Sequence, residues 1–245
     1  MIRYTFLVYL MTTSAHASGP YEQLRDRIIR GRLKPGYPLV EAGAARELGM
    51  SRTPIRAALQ RLRLEGLVVS DGGGERPRLA VAPLSREGVG ELYRAVGALE
   101  GLAARAVAEL PVAARRKLGT SMAAHDARFR RAARATALDW NDLFLHHDAF
   151  HRELRTAAAG PQVRALLEAL RPQIDRYEWI FAPLVGPDFS ATYAEHDEIV
   201  RAVVDRPAAQ IERAVRANWF NGGERLTAVI EEADASLLTG RWGAP

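Results

Sequence analysis

Two histidines, His147 and His151, lie four residues apart in a stretch with the apolar spacing of a helix. At this spacing both imidazoles project from one helix face, which suits two ligands of one divalent metal ion. His146 and His196 are further candidates, and other helices would have to complete the set of ligands. Because histidine pairs also arise by chance, the alternative is an ordinary helix face without metal.

The same stretch admits a catalytic interpretation. Residues 147–151 resemble the H-E-x-x-H helix of metalloproteases, with Asp148 in place of the glutamate base. Aspartate is one methylene shorter, so it would not reach a metal-bound water in the same geometry, and no further histidine follows at the expected spacing. His196 and Asp197 similarly resemble the His-Asp pairs of metal phosphohydrolases. A metal-dependent hydrolase is therefore an alternative, but we expect that the protein is not an enzyme.

A second set of side chains with a chemical role lies in Ser51–Leu67. Three leucines mark an apolar face of a short helix (Leu59, Leu62, Leu64), while arginines and a glutamine lie mostly on other faces (Arg52, Arg56, Gln60, Arg61, Arg63). Ser51 is suited to capping the helix N-terminus, and Pro54 falls within the first turn, where proline is tolerated. Such a helix suits the DNA major groove, and the alternative is an ordinary amphipathic surface helix.

The neighbouring segments predict a winged helix-turn-helix over residues 21–83. Helices are expected at Tyr21–Arg32 and Val40–Leu48, and Gly49 begins a tight turn into the arginine-rich helix. Short strands at 67–69 and 79–81 flank a glycine-rich tip, which makes a hairpin. Arg76 and Arg78 lie near this tip, as expected of a wing that contacts DNA.

Charge supports this division of the chain. The net charge is +5, from 34 basic and 29 acidic residues, and residues 21–80 hold 12 basic and 7 acidic ones. The remainder has 22 of each, so the whole excess lies in one segment, as expected of a DNA-binding module joined to a neutral domain. A DNA-binding protein without sequence preference is a second alternative, although it leaves the large neutral domain unexplained.

Residues 84–236 predict an all-α bundle of at least six helices, because no strand-like alternation interrupts the helical spacing. Breaks are expected at Pro111, at Gly160-Pro161 and in a loop at Pro183–Pro187, and residues 237–245 form a tail. The predicted fold class is therefore mainly α, a winged helix-turn-helix followed by this bundle. The chain has no cysteine, which excludes disulfides and thiolate metal sites.

Residues 1–20 imitate a secretory signal, with Arg3, an apolar run and an Ala15-His16-Ala17 site. Export is hard to reconcile with a DNA-binding module. We therefore expect a flexible arm, or a start codon assigned too early with Met11 or a later codon as the true one, and a cytoplasmic protein. No apolar run is long enough to span a bilayer, so no membrane partner is expected.

Over about sixty residues, the run YEQLRDRIIRGRLKPGYPL…ELGMSRTPIRAALQRLRLEGLV resembles the DNA-binding domain of GntR-type bacterial transcription regulators. The resemblance implies DNA contacts at Ser51, Arg52, Thr53 and Arg56, and by the wing in the minor groove. Arg52 is expected to make a bidentate contact to guanine, with Ser51 and Thr53 on phosphates. The wing departs from the usual pattern because it is glycine-rich and carries an acidic residue, Glu75.

Most of 87–232 resembles the FCD effector domain of the FadR-like subgroup, through ELYRAVGALEGLAARA, D.LFLHHDAFHREL and YAEHDEIVRAVVDRP. Such domains are usually dimeric helical bundles that bind small organic acids, often with a metal held by one Asp and three His. Three positions depart from this pattern: His147 stands where the Asp is usual, Asn218 where the third His is usual, and Val96 where a pocket arginine is common.

The resemblance implies a divalent metal, Zn²⁺ or Ni²⁺, on His147, His151, His196 and Asn218, and a metal-free pocket is the alternative. It also places Arg176 and Tyr177 in a segment that often lines the effector pocket. We expect a ligand-responsive transcription regulator, most simply a repressor, that binds a pseudo-palindromic operator as a homodimer and takes a small carboxylate as effector.

Overall fold

The computed structural model of the protein describes residues 19–71, 78–186 and 188–232. The expected arm up to residue 18, the wing tip with Arg76 and the tail 237–245 lie outside these ranges. Among the described helices, none combines the length and the apolar character needed to cross a bilayer.

The N-terminal segment forms the predicted helix-turn-helix and hairpin. Its three helices are α1 (Pro20–Ile29), α2 (Glu41–Leu48) and α3 (Arg52–Leu64), and its two antiparallel strands are β1 (Val68–Asp71) and β2 (Arg78–Val81). Apolar side chains from all three helices and both strands form one core, including Leu24, Ile28, Ala45, Ile55, Leu59, Leu62, Val68 and Val81. This core holds α3 in place by one side only.

Two expectations about α3 are wrong. Leu64 is not part of the buried face but is 89% exposed, because a residue two positions after Leu62 lies on the opposite side of a helix. Ser51 occupies the N-cap position but makes no side-chain capping bond. The third helical residue is Pro54, which has no N–H to donate to the Ser51 hydroxyl.

Ser85 makes the capping hydrogen bond that Pro54 prevents in α3. This serine precedes the next helix, and its hydroxyl accepts a hydrogen bond from the N–H of Gly88 at 3.0 Å. Gly88 is the third residue of that helix, the same position that Pro54 occupies in α3. The serine at the start of α3 therefore keeps its hydroxyl for a partner other than its own helix.

The rest of the described chain is helical, as predicted, with six α-helices after the hairpin. They are α4 (Arg86–Ala106), α5 (Val112–Ala133), α6 (Trp140–Ala158), α7 (Pro161–Val185), α8 (Ser190–Asp205) and α9 (Ala208–Glu232), with a 3₁₀ turn at Val107–Glu109 after α4. The expected loop at Pro183–Pro187 is wrong in its first half, because α7 continues to Val185. The helix ends at Gly186, whose φ of +95° suits glycine.

The described chain divides into two compact units. The first unit comprises the residues up to Val89, the segment Leu170–Ala182 of α7 and the end of α9 from Ala228. The second comprises Gly90–Ala169 and Pro183–Thr227, and in it α5 packs against α6 and α8. Within the second unit α4 and α9 approach closely: a Cβ on Gly97 would lie 2.9 Å from the Cβ of Trp219.

Candidate functional site

The first candidate site is the N-terminal end of α3. Ser51, Arg52 and Thr53 are all exposed there, at the positive end of the helix dipole. Gly49, with φ of +64°, makes the turn that places this end on the surface. Exposed N–H groups, hydroxyls and a guanidinium at a helix N-terminus are suited to phosphates and base edges.

Arg56, one turn further along α3, is paired within the protein. Its Nε and Nη2 atoms donate to the two carboxylate oxygens of Glu41 on α2, both at 2.9 Å. The hydrogen bonds lower the pKa of Glu41 and raise that of Arg56. The pair is exposed to solvent, so a DNA phosphate can compete with Glu41 for this guanidinium. Arg78, also expected at the DNA surface, is exposed on β2.

The second candidate site is a group of three histidines in the second unit. His147 and His151 come from α6 and His196 from α8, and their nearest ligand atoms all lie within 4.8 Å of one another. His151 and His196 are buried and His147 is half-buried. The ring of His196 stacks on that of Phe150 at 4.0 Å between centroids. The structure thus joins the pair that the helical spacing predicts to a third histidine 45 residues away.

A buried carboxylate orients each of the two buried histidines. Nδ1 of His151 lies 3.0 Å from Glu100 on α4, and Nδ1 of His196 lies 2.7 Å from Asp126 on α5. An ionised carboxylate only accepts hydrogen bonds, so each Nδ1 is the donor, which leaves Nε2 as the ring nitrogen that a metal ion would take. This carboxylate–histidine arrangement is typical of imidazoles that ligate a metal.

The local surroundings of His196 test whether a metal fits. Its Nε2 is buried and has no hydrogen-bond partner among the described residues. Complete burial lowers the pKa of His196, although Asp126 opposes the shift, so the imidazole is neutral near pH 7. A neutral, buried imidazole with an unused lone pair beside two other histidines is suited to a borderline cation such as Zn²⁺ or Ni²⁺. When bound, such a cation supplies a Lewis acid that attracts a carboxylate oxygen.

The remaining predicted ligand, Asn218, lies on α9. Its amide nitrogen donates to Glu195 at 2.9 Å, and Arg225 binds the same carboxylate at 2.8 and 2.9 Å. This bond leaves only the amide oxygen of Asn218 as a ligand atom, so its place in the metal site remains a prediction. His146, the other histidine of the α6 stretch, pairs with Asp142 at 3.3 Å and is not one of the three.

Glu100 is a partner of His151 that the sequence pattern did not predict. It is fully buried and accepts hydrogen bonds from His151, from Arg155 at 2.7 Å and from the indole N–H of Trp219 at 2.7 Å. Burial alone would raise the pKa of Glu100, but His151 and Arg155 outweigh it and lower the pKa from 4.5 to about 2. Glu100 and Asp126 lie 51 and 70 residues from their histidines, and no local pattern marks either of them.

We expect Glu100→Gln to lower the free energy of unfolding by about 3–5 kcal/mol, because it removes the charge that pairs with buried donors. In the parent protein, ionised Glu100 stabilises the fold above its ordinary pKa of 4.5, and this contribution is lost as the pH falls toward about 2. Urea unfolding at about pH 7 and about pH 3 measures both effects.

The control for this prediction is Glu198→Gln, which changes an exposed carboxylate paired with Arg201. The loss of stability between the two pH values should be smaller in Glu100→Gln than in the parent. An equal loss in both proteins would show that Glu100 is not the group that titrates.

The hydrolase alternative requires Asp148 to act as a base, and its surroundings argue against that role. The carboxylate is buried and accepts hydrogen bonds from Arg155 at 2.8 Å and Arg152 at 3.2 Å. Two guanidinium groups stabilise its ionised form and occupy its oxygens.

Arg176 and Tyr177, expected in an effector pocket, lie in the α7 segment of the first unit. Both side chains are buried. The Tyr177 hydroxyl lies 3.2 Å from both the N–H and the carbonyl oxygen of Ser85, at the start of α4. Burial lowers the pKa of Arg176 to about 10. Their role in effector binding remains a prediction.

Comparison with known proteins follows the same division of the chain. Residues 18–74 match the bacterial regulatory proteins of the gntR family, and residues 91–219, more than half of the chain, match the FCD domain. The chain belongs to the GntR family. Because the chain also has an FCD domain, it is a FadR-like GntR transcription regulator. The matched families and the relatives described below are transcription regulators rather than enzymes.

A relative at the sequence level is a helix-turn-helix transcriptional regulator of Agrobacterium vitis, from the TAR-I ttuE-ttuC' intergenic region. It is 31% identical over 153 residues, which cover 61% of this chain and 84% of that protein. Among solved structures, a GntR transcriptional regulator from Rhodococcus sp. RHA1 is similar, with a TM-score of 0.56 at 22% identity, covering 87% of this chain and 96% of that one.

The McbR/YncC protein of E. coli has a TM-score of 0.55 at 18% identity, and the match covers 87% of this chain and 95% of the E. coli chain. At these identities the structural likeness establishes the fold alone. The FCD domain of this chain contains all three histidines, and the GntR domain contains the exposed end of α3.

Proposed function

We propose that this GntR regulator is a repressor that binds a pseudo-palindromic operator as a homodimer and responds to a small organic acid. The observation that carries the proposal is the exposed N-terminus of α3, where Ser51, Arg52 and Thr53 stand on a helix held by its opposite face. In one dimer, two such helices would enter successive major grooves, with the two-fold axis of the protein on that of the DNA.

The proposed residue roles follow the chemistry of each side chain. Arg52 reads guanine, and Ser51 and Thr53 bind phosphates. Arg56 also contacts DNA, once its ion pair with Glu41 has broken. Arg76 and Arg78 are the proposed DNA contacts of the wing. We further propose a DNA-binding domain at 21–83 and an effector and dimerisation domain at 84–236, in a cytoplasmic protein without catalytic activity.

In the effector domain we propose Zn²⁺ or Ni²⁺ on His147, His151 and His196, with Asn218 as an additional ligand. Glu100 and Asp126 act as positioning residues that hold two of these imidazoles. A carboxylate effector would bind at the metal and favour one arrangement of the dimer, which requires a different affinity for the two arrangements. Arg176 and Tyr177, which are buried in the first unit, are proposed separately as effector contacts.

DNase footprinting on duplexes selected from randomised DNA tests the proposed function. We expect two protected half-sites centred about one helical turn apart. Protection without sequence preference would instead identify a DNA-binding protein without specificity. A thermal-shift screen of small carboxylates with and without Zn²⁺ tests the effector role, and we expect stabilisation by carboxylates to depend on the metal.

A further inference from the structure

One helix of the second unit is strongly basic, although the chain outside residues 21–80 has no net charge. α5 has six basic residues and one acidic residue, whereas α8 has one basic residue and four acidic ones. The acidic residue of α5 is Asp126, which is buried and holds His196. The balance of charge in this part of the chain therefore conceals a cationic helix.

The exposed positions of α5 lie along one face of the helix. Because 18 residues make five helical turns, Arg116 and Arg134, the residue that caps the helix, lie on one line about 27 Å apart. Between and beside them are the other exposed residues of this face, namely Lys117, Thr120, Ala123, Ala124, Ala127, Arg128 and Arg131. We call this set the basic face: it has five cations and no carboxylate.

None of the five cations of the basic face has an ion pair within the described ranges of the chain. The two helices that pack against α5 do have carboxylates, but these have other partners. Asp142 of α6 lies 3.3 Å from His146, and Asp197 of α8 accepts a hydrogen bond from Arg130 at 2.6 Å. The charge of the basic face is therefore directed to solvent without a carboxylate to balance it.

The side chains between the cations indicate what kind of partner fits. They are alanines and a threonine, with no large apolar or aromatic side chain on the face between Arg116 and Arg134. The buried centre of a protein interface is usually apolar and aromatic, and a helix that lies in a membrane surface needs large apolar side chains. The basic face has neither property.

The phosphate backbone of duplex DNA has the complementary chemistry. It carries one negative charge per about 1.7 Å of helix axis, and guanidinium groups bind phosphate oxygens strongly. A face about 27 Å long extends over about eight base pairs at 3.4 Å per pair. The small side chains allow the helix itself to approach the phosphates closely.

We propose that the basic face of α5 is a second, sequence-independent binding surface for duplex DNA, in addition to the N-terminal end of α3. Its partner is a second duplex, bound through its phosphates while α3 binds an operator. The choice of DNA rests on the proposed function, whereas the existence of a polyanion surface rests on the charge and exposure of α5 alone.

Fluorescence anisotropy with the full-length protein tests this surface. The protein is first saturated with an unlabelled operator duplex, and a labelled scrambled duplex of the same length is then added. The α5 variant combines the substitutions Arg128→Gln, Arg131→Gln and Arg134→Gln. The control variant loses three exposed arginines from other helices of the second unit, through Arg94→Gln, Arg201→Gln and Arg213→Gln.

We expect the parent and the control variant to bind the scrambled duplex, with affinities within about threefold of each other. The α5 variant should bind it at least about 10-fold more weakly, because three phosphate contacts are lost. The slope of log Kd against log salt concentration should also become less steep by about 2–3 in the α5 variant, since each phosphate contact contributes about 0.9.

A second variant replaces the same three arginines with lysine. Lysine keeps the positive charge but loses the planar fork, and a sequence-independent phosphate contact depends mainly on charge. We therefore expect this variant to bind the scrambled duplex within about threefold of the parent. A loss as large as that of the glutamine variant would contradict binding through phosphate charge.

Three results would overturn the proposal. Equal binding of the second duplex by the parent and the α5 variant, including no binding by either, would mean that α5 is not a DNA surface. Tighter binding of phosphatidylglycerol vesicles than of duplex by the parent would assign the face to a lipid surface. Loss of self-association in sedimentation velocity, with unchanged DNA binding, would assign it to a second copy of the chain.

The failure of the proposed function can be recognised separately. If the parent selects no operator from randomised DNA, the proposed function fails, and the scrambled duplex is then titrated directly onto each protein. A less steep salt dependence in the α5 variant than in the control variant would still support the basic face as a DNA surface. Equal salt dependence in the two variants would contradict it.

Discussion

Arg52→Ala is expected to weaken operator binding by about 10- to 100-fold, because a bidentate arginine–guanine contact is worth about 1–3 kcal/mol. Arg52 is the first residue of α3 and is exposed, and it has no ion pair among the described residues. Arg56 on the next turn is held by Glu41, so it must first break an ion pair to reach DNA. The arginine at the very start of the helix therefore carries most of the expected discrimination between sequences.

Anisotropy titrations of a selected operator duplex and of a scrambled duplex measure this effect. Arg63→Ala is the matched control, since Arg63 is exposed on the same helix but lies near its C-terminal end. Both variants lose one positive charge, so binding to the scrambled duplex should fall to a similar small extent. Sequence-selective binding that survives in Arg52→Ala would contradict the role of Arg52 in reading bases.

His196→Ala is expected to abolish Zn²⁺ or Ni²⁺ binding by the FCD domain. The substitution removes one of three clustered imidazoles, and the one whose buried Nε2 has no other partner in the described chain. Two imidazoles from one helix remain, and a pair alone holds a cation far more weakly than three ligands from two helices. Asp126→Asn should lower the affinity by about 10- to 100-fold, because it weakens the bond that orients His196.

Isothermal titration with Zn²⁺ and metal analysis after dialysis give the affinity and the stoichiometry. His125→Ala is the control, since His125 is half-buried on α5 but is not one of the three clustered histidines. We expect one ion per chain in the parent and in His125→Ala and none in His196→Ala. Full occupancy in His196→Ala would place the metal elsewhere, and no binding by the parent would favour the metal-free alternative.

Much of the fold could be predicted from sequence because its signals are local. The helices of both domains follow from apolar side chains at helical spacing, with glycine or proline at their breaks. The DNA-binding helix was recognisable from Ser51 to Leu67 for the same reason, together with the excess of positive charge in residues 21–80. His147 and His151 share one helix face by spacing alone. Each of these inferences concerns residues close in sequence.

Some local details were still wrong, and competition between neighbouring signals explains them. Ser51 is a good capping residue, but Pro54 removes one of the N–H groups that it would cap. Pro183 predicts a loop, but the helix continues for two residues beyond it and ends at glycine. In both cases the residue type indicated a tendency, and a residue three positions further along the chain decided the outcome.

The amino-acid sequence by itself determined the order of the elements, the excess of charge in the DNA-binding segment and the helix face shared by His147 and His151. Only the tertiary structure decided which distant groups meet. It brings His196 to that pair, places Glu100 and Asp126 behind the imidazoles and ties Arg56 to Glu41. It also leaves Nε and Nη2 of the buried Arg176 without a hydrogen-bond partner among the described residues. The physical reason is that burial and pairing of charges depend on helix packing across 15 to 70 residues of chain, which no local spacing encodes.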